Sequence, residues 1–180
     1  MKKQQEVYHF WFEELTPKQW FIKDDAVDIK IIERFKETNI AASKNELCHW
    51  RETPQGALSE IIVLDQFSRN LYRNSPLSWI NDPLALGLAQ EAIRRGLDNE
   101  LSTIEKSFLY MPFMHSESLV IHEEALKHFN QPGLENNYEF EKKHKAIIER
   151  FGRYPHRNNI LGRESSPEEI DFLAQPGSSF

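Results

Sequence analysis

The sequence predicts an all-α fold of six to eight helices in a single domain spanning residues 1–180, arranged either as a compact bundle or as a compact, irregular array of antiparallel helix pairs. Three observations predict it. Apolar residues recur at helical spacing along most of the chain, no alternating run of strand length stands out, and linkers of only a few residues separate the periodic segments. Short linkers between helices make sequence neighbours antiparallel. No clear repeat marks a regular solenoid, so any repeat-like arrangement must be irregular.

The elements follow in order. Asp24 is placed to cap a helix whose Val27, Ile31, Ile32 and Phe35 fall on one face. Thr53-Pro54 starts a second helix, because proline at the first helical position loses no hydrogen bond, and Leu58, Ile61, Ile62, Leu64 and Phe67 continue it. Asp82-Pro83 starts another, ended by Arg94, Arg95 and Gly96. A short helix begins near Ser102. Pro112 is expected to open a long helix to Phe129, which Gln131-Pro132-Gly133 stops. The run Tyr138 to Phe151 is helical and ends at Gly152. Ser166-Pro167-Glu168-Glu169 begins a last short helix with negative charge at its positive end.

Composition excludes several classes of function. Hydrophobic residues make up 39% of the 180 and aromatics 12%, enough to build a substantial core. The longest strictly aliphatic run, Ile61 to Leu64, is far short of the roughly 20 residues of a membrane-spanning helix. The start, MKKQQEVYHFWFEEL, has glutamates inside its apolar part and so lacks the core of a secretory signal, which predicts a cytoplasmic protein. Cys48 is alone, so no internal disulfide and no cysteine cage for a metal is expected. A net charge of −6 disfavours nucleic acid, since counterion release needs a broad basic surface.

Against that acidic background, Arg150 to Arg163, RFGRYPHRNNILGR, carries four arginines and a histidine and no acidic residue. Such a segment either grips an anion or fastens itself to the protein's own carboxylates. Asp65, Arg69 and Arg73 are spaced by four and share a helix side. They read either as a polar seam between helices or as an anion-facing row in which Asp65 orients Arg69. His115, placed in the first turn of the Pro112 helix, is a candidate acid–base group or a buried hydrogen-bonded histidine. Glu117 lies two residues on. His122 shares the His115 face but sits about 10 Å away, which makes a metal site from these two alone weak. His144 tracks an apolar face and reads as a core histidine. His156, Arg157 and Asn158 follow Tyr154-Pro155 in a turn that either preorganises a ligand contact or ties the C-terminal segment down. The aromatic start, Phe10-Trp11-Phe12 with Trp20-Phe21, reads as core packing.

Taken together, YHFWF, LDQFSRNLYR, DPLALGLAQEAI, FLYMPFMHSE and RFGRYPHRNNILGRESSPEEIDFL resemble a bacterial family known as domain of unknown function 924, over Val7 to Phe180. The resemblance implies a tetratricopeptide-like superhelical architecture and brings no established reaction. Its signature polar positions correspond to Asp65, Gln66, Arg69, Asn70, Arg73, His115, Glu117, His144, Arg150, Arg153, His156, Arg157, Asn158 and Arg163. Ser68 stands where the family has proline, and His122 where it commonly has glutamine.

These observations lead to two expectations. In one, a polar pocket binds a small carboxylated or phosphorylated molecule through Asp65, Arg69, Arg73, Glu117, Arg153, Arg157 and Asn158, with His115 or His156 as acid–base group if it is hydrolysed, and with no cofactor or metal. In the other, the same network is structural and the chain is a non-catalytic peptide-binding or scaffold module. The many aromatics leave room for a dimer face.

Overall fold

The computed structural model describes residues 2–179; Met1 and Phe180, the two ends of the expected domain, lie outside the described residues. Those residues form no strand and eleven α-helices: α1 Gln4–His9, α2 Pro17–Phe21, α3 Asp25–Ser43, α4 Pro54–Ile62, α5 Ser68–Leu71, α6 Asp82–Arg94, α7 Thr103–Met114, α8 Leu119–Phe129, α9 Glu135–Phe151, α10 Asn158–Leu161 and α11 Pro167–Leu173. The expectation of six to eight helices in a tetratricopeptide-like superhelix is therefore corrected. Helices of four or five residues such as α2, α5 and α10 are too short to carry a hydrophobic period. The lengths, from four to nineteen residues, show no repeating helix pair.

The chain divides into two compact units, residues 2–73 with 77–112, and residues 113–179 with 74–76. In the first unit, helix starts follow their caps. The Asp24 carboxylate accepts from the Ala26 and Val27 N–H groups at 2.9 and 3.3 Å, and the Thr53 hydroxyl accepts from Gly56 N–H at 3.1 Å. Helix α3 buries Val27, Ile31 and Phe35, whereas Ile32, expected on the same face, is exposed. Phe10 packs on Phe35, and Phe35 on Phe67, with 5.0 Å between ring centroids in each pair. Trp11 meets Phe108 edge-on at 5.4 Å. Phe10 and Trp11 are thus core, as expected of the aromatic start, whereas Phe12 and Trp20 are half-buried and Phe21 is exposed.

Two π-helical turns interrupt this unit, Phe10–Glu14 after α1 and Val63–Phe67 between α4 and α5. The second carries Asp65 and Gln66. Widening a helix by one residue per turn frees carbonyls and re-aims side chains, and here Asn39 from α3 donates to the Val63 carbonyl at 2.8 Å. Gly56 is needed where α1 meets α4. A Cβ there would lie 2.0 Å from the Trp50 carbonyl oxygen and 2.1 Å from Gln4 Oε1.

In the second unit, Phe113, Ala125, Phe129, Leu134 and Tyr154 are buried, and Phe151 packs on Phe172 at 5.0 Å. The helix start expected at Pro112 is instead the last turn of α7, and α8 begins at Leu119 after a Ser118 N-cap. His115 therefore follows a helix C-terminus rather than opening a helix, which reverses the sign of the dipole acting on it. Gly152 ends α9 at φ +69°, a left-handed conformation that costs glycine little. Ser166 and Glu169 cap α11 reciprocally: Ser166 Oγ accepts from Glu169 N–H at 3.2 Å, and Glu169 Oε2 accepts from Ser166 N–H at 2.8 Å.

Candidate functional site

Asp65, Arg69 and Arg73 belong to the first unit, and there each arginine meets a carboxylate. Arg69 donates from both terminal nitrogens to the two oxygens of Asp82, at 3.0 Å each, and from Nη1 to the Asp65 carbonyl at 2.7 Å. The same Nη1 is 3.1 Å from Asp65 Oδ1. Arg73 donates from Nε and Nη2 to the two oxygens of Asp28, and Asn70 adds a third donor to that carboxylate at 2.7 Å. Asp65 is buried and also accepts from Gln66 at 2.5 Å. Behind this row lies Ser68, fully buried, whose hydroxyl donates to the Leu64 carbonyl at 2.6 Å and accepts from Asn39 at 3.0 Å and Asn81 at 3.2 Å. Ser68 is thus the centre of a hydrogen-bonded knot.

The second unit gathers His115, Glu117, His122, His144 and the Arg150–Arg163 segment around Tyr154. Tyr154 is fully buried and uses all its polar groups. Its hydroxyl donates to the Met114 carbonyl at 2.5 Å, its N–H donates to Glu117 at 2.7 Å, and its carbonyl accepts from Arg163 at 3.1 Å. Its ring supports the Arg157 guanidinium at 4.8 Å, a cation–π contact. Arg157 is itself buried and donates to the His115 carbonyl at 3.0 Å. Arg163 forms a two-pronged pair with Glu117 at 2.7 and 2.9 Å and donates from Nε to Asn158 at 2.8 Å. Asn158 in turn donates to Ser165 at 3.1 Å. Arg153 pairs with Glu169 through two bonds at 2.7 and 2.8 Å, and Arg150 with Glu168 at 2.8 Å. Both arginines thus reach the first turn of α11, and Arg153 also donates to the Glu164 carbonyl at 2.8 Å.

Several carboxyls and one imidazole are shifted by these surroundings. Burial works against the Glu117 carboxylate, but Arg163 and the Tyr154 N–H outweigh it and hold its pKa below the usual range. The Arg153 guanidinium beside Glu169, aided by Ser166, brings that carboxyl down to about 2. His144 donates from Nδ1 to the Phe140 carbonyl at 2.7 Å, and burial lowers its pKa to about 3, so it is neutral at physiological pH. It is a core histidine, as its position among apolar residues predicts.

His122 is occupied on both nitrogens. Nε2 is 2.8 Å from the Ser116 carbonyl, an acceptor only, so Nε2 carries a proton. Nδ1 is 2.5 Å from Glu141 Oε1, and both side chains are fully buried. Neither nitrogen is left to ligate a metal. Among the described residues no three His, Cys, Asp or Glu side chains are disposed to hold one.

Among the described residues, each unit has a surface cleft. The larger, about 490 Å³, is lined by Gln4, Gln5, Tyr8, His9, Glu13, Thr53, Gln55 and Ser59; the other, about 340 Å³, by Phe129 to Pro132, Glu135, Tyr138 and Glu139. Neither is lined by any residue that the sequence pattern nominates. Asp28, Asp82, Glu141 and Ser68 complete the networks without having been nominated. Only the i,i+4 relation of Asp65 to Arg69 was available locally, and the other partners are remote in sequence.

Fold and network together define an all-helical protein held by a buried and half-buried lattice of Arg, His, Asp and Glu side chains. The chain belongs to the family described as bacterial protein of unknown function (DUF924), whose profile matches residues 7–177. A solved structure of a protein of unknown function from Agrobacterium tumefaciens is similar, with 39% identity and a TM-score of 0.90, covering 95% of this chain and 96% of that one. A comparison with curated proteins finds no match. No helix among the described residues is long and apolar enough to cross a membrane.

Proposed function

We propose that this chain is a non-catalytic helical module that binds an extended peptide, and that its Arg/His/Asp/Glu network fastens helices instead of holding a ligand. The observation that carries this reading is the occupancy of the arginines. Arg69, Arg73, Arg153 and Arg163 each direct two guanidinium nitrogens at one carboxylate of the same chain. A forked pair satisfies the geometry that would otherwise recognise a carboxylate or phosphate ligand. On this reading Asp65 and Glu117 are counter-charges, Arg157 and Asn158 brace the turn at Tyr154, and His115 and His156 do no acid–base work.

The cleft beside α1 suits an extended peptide. Gln5 and Gln55 offer amides that both donate and accept, and the Tyr8 ring, 4.9 Å from Phe12, supplies an apolar wall. An array of random decapeptides probed with the purified protein tests this. Selective binding lost in both Tyr8→Ala and Gln55→Ala, and kept in Arg157→Gln, supports it. Saturable binding of inorganic phosphate or a small carboxylate, lost in Arg157→Gln, would overturn it in favour of a small-anion pocket.

A further inference from the structure

Helix α3 turns one face to the core and the opposite face to solvent, and the solvent face has its own order. Ala26, Ile29, Glu33, Lys36, Ile40 and Ser43 are spaced by three and four in alternation, which is the seam spacing of a two-stranded coiled coil. Ile29 is 54% exposed and Ile40 39% exposed, about 16 Å apart along the axis. Phe21 and Ile22, just before the helix, are exposed as well. Isolated exposed apolar side chains are ordinary, but two isoleucines flanking the centre of one seam are not scattered. At the centre of the seam stand one acid and one base, Glu33 and Lys36, neither of which has an ion-pair partner among the described residues.

The pattern is self-complementary in one orientation only. Two copies of α3 laid antiparallel about a two-fold axis through the helix midpoint set Ile29 opposite Ile40, Ala26 opposite Ser43 and Glu33 opposite Lys36, each pairing occurring twice. A parallel arrangement would set Glu33 on Glu33 and Lys36 on Lys36. Polar residues at seam positions fix orientation and register at some cost in affinity, and a two-fold interface requires this reciprocity. We infer that the solvent face of α3 is a homodimer interface, in which a second copy of the chain packs antiparallel through the Ile29–Ile40 seam. The inference is independent of the peptide cleft.

Sedimentation equilibrium on the full chain tests it. The patch is small, so the expected dimer is weak, with dissociation in the range of about 10–100 μM. Glu33→Lys should weaken it about tenfold by placing like charges in two layers. Lys36→Glu should do the same. The double exchange Glu33→Lys with Lys36→Glu should restore the dimer, and an equimolar mixture of the two single variants should form a heterodimer. Both positions are exposed, so circular dichroism and melting should be unchanged. A wild type that stays monomeric to about 1 mM overturns the inference, as does a dimer indifferent to both single variants.

Discussion

His122 and Glu141 form a fully buried pair, Nδ1 to Oε1 at 2.5 Å. The Ser116 carbonyl fixes a proton on Nε2, so the contact with Glu141 is either imidazolium to carboxylate or neutral imidazole to carboxylic acid. Burial raises the Glu141 pKa despite the pull of His122, and Glu141 Oε2 is buried without a hydrogen bond. Both favour the neutral acid, because an unpaired carboxylate oxygen costs more to bury than a carbonyl-like one. A raised folded pKa means that Glu141 contributes fully below its ordinary value of 4.5, and that this contribution is lost as pH rises through the shifted value. Glu141→Gln keeps a donor to Nδ1 and removes the titration. Urea denaturation from about pH 5 to about pH 8 should show the variant at least as stable as wild type at the upper end, with a flatter pH dependence. A loss of about 3–5 kcal/mol at all pH values would mean that the pair is ionic.

His144 predicts the opposite slope. Its pKa is lowered from 6.5 to about 3 by burial, so the stability of its neutral form is whole above about pH 6.5 and is lost as pH falls toward about 3. His144→Phe keeps the ring and removes that charge. The difference in unfolding free energy between wild type and variant should shift in the variant's favour by a few kcal/mol across this window. A constant difference would mean that the imidazole takes up its proton without leaving the core.

The Glu117–Arg163 pair ties the Ser116–Ser118 loop to the segment after Tyr154, from 46 positions away in sequence. A double-mutant cycle with Glu117→Gln and Arg163→Gln should give a coupling of about 1–3 kcal/mol in chemical denaturation, more than an exposed pair supplies. Coupling below about 0.5 kcal/mol would reduce this contact to surface decoration.

Gly56 leaves no room for a Cβ where α1 meets α4. Gly56→Ala must displace the Trp50 carbonyl or the Gln4 side chain, and should cost about 1–3 kcal/mol in thermal unfolding although alanine is the better helix former. Gln4→Ala in the same background should recover part of the loss by removing one of the two obstacles.

Much of the fold was legible because helix starts are local. Asp24, Thr53-Pro54 and Ser166 each announce a helix within four residues, and all three caps are present. Pro112 misled because proline suits the first turn of a helix, while the apolar run Phe108 to Met114 has no polar face to show that a helix was already under way. The networks were half legible. The arginines stood out by composition, but their partners Asp82 and Asp28 lie 13 and 45 positions away, and helical spacing reports nothing beyond a turn or two. Ser68 carries no signal in the sequence beyond standing in a helix. Its three buried hydrogen bonds are a matter of packing.

The central claim is that the guanidinium groups of Arg69, Arg73, Arg153 and Arg163 are committed to the protein's own carboxylates. Calorimetric titration of the purified chain with inorganic phosphate, and separately with citrate, tests it most directly. The account predicts no saturable heat up to about 10 mM of either anion. Saturable binding that disappears in an Arg153→Gln or Arg163→Gln variant still folded by circular dichroism would contradict it.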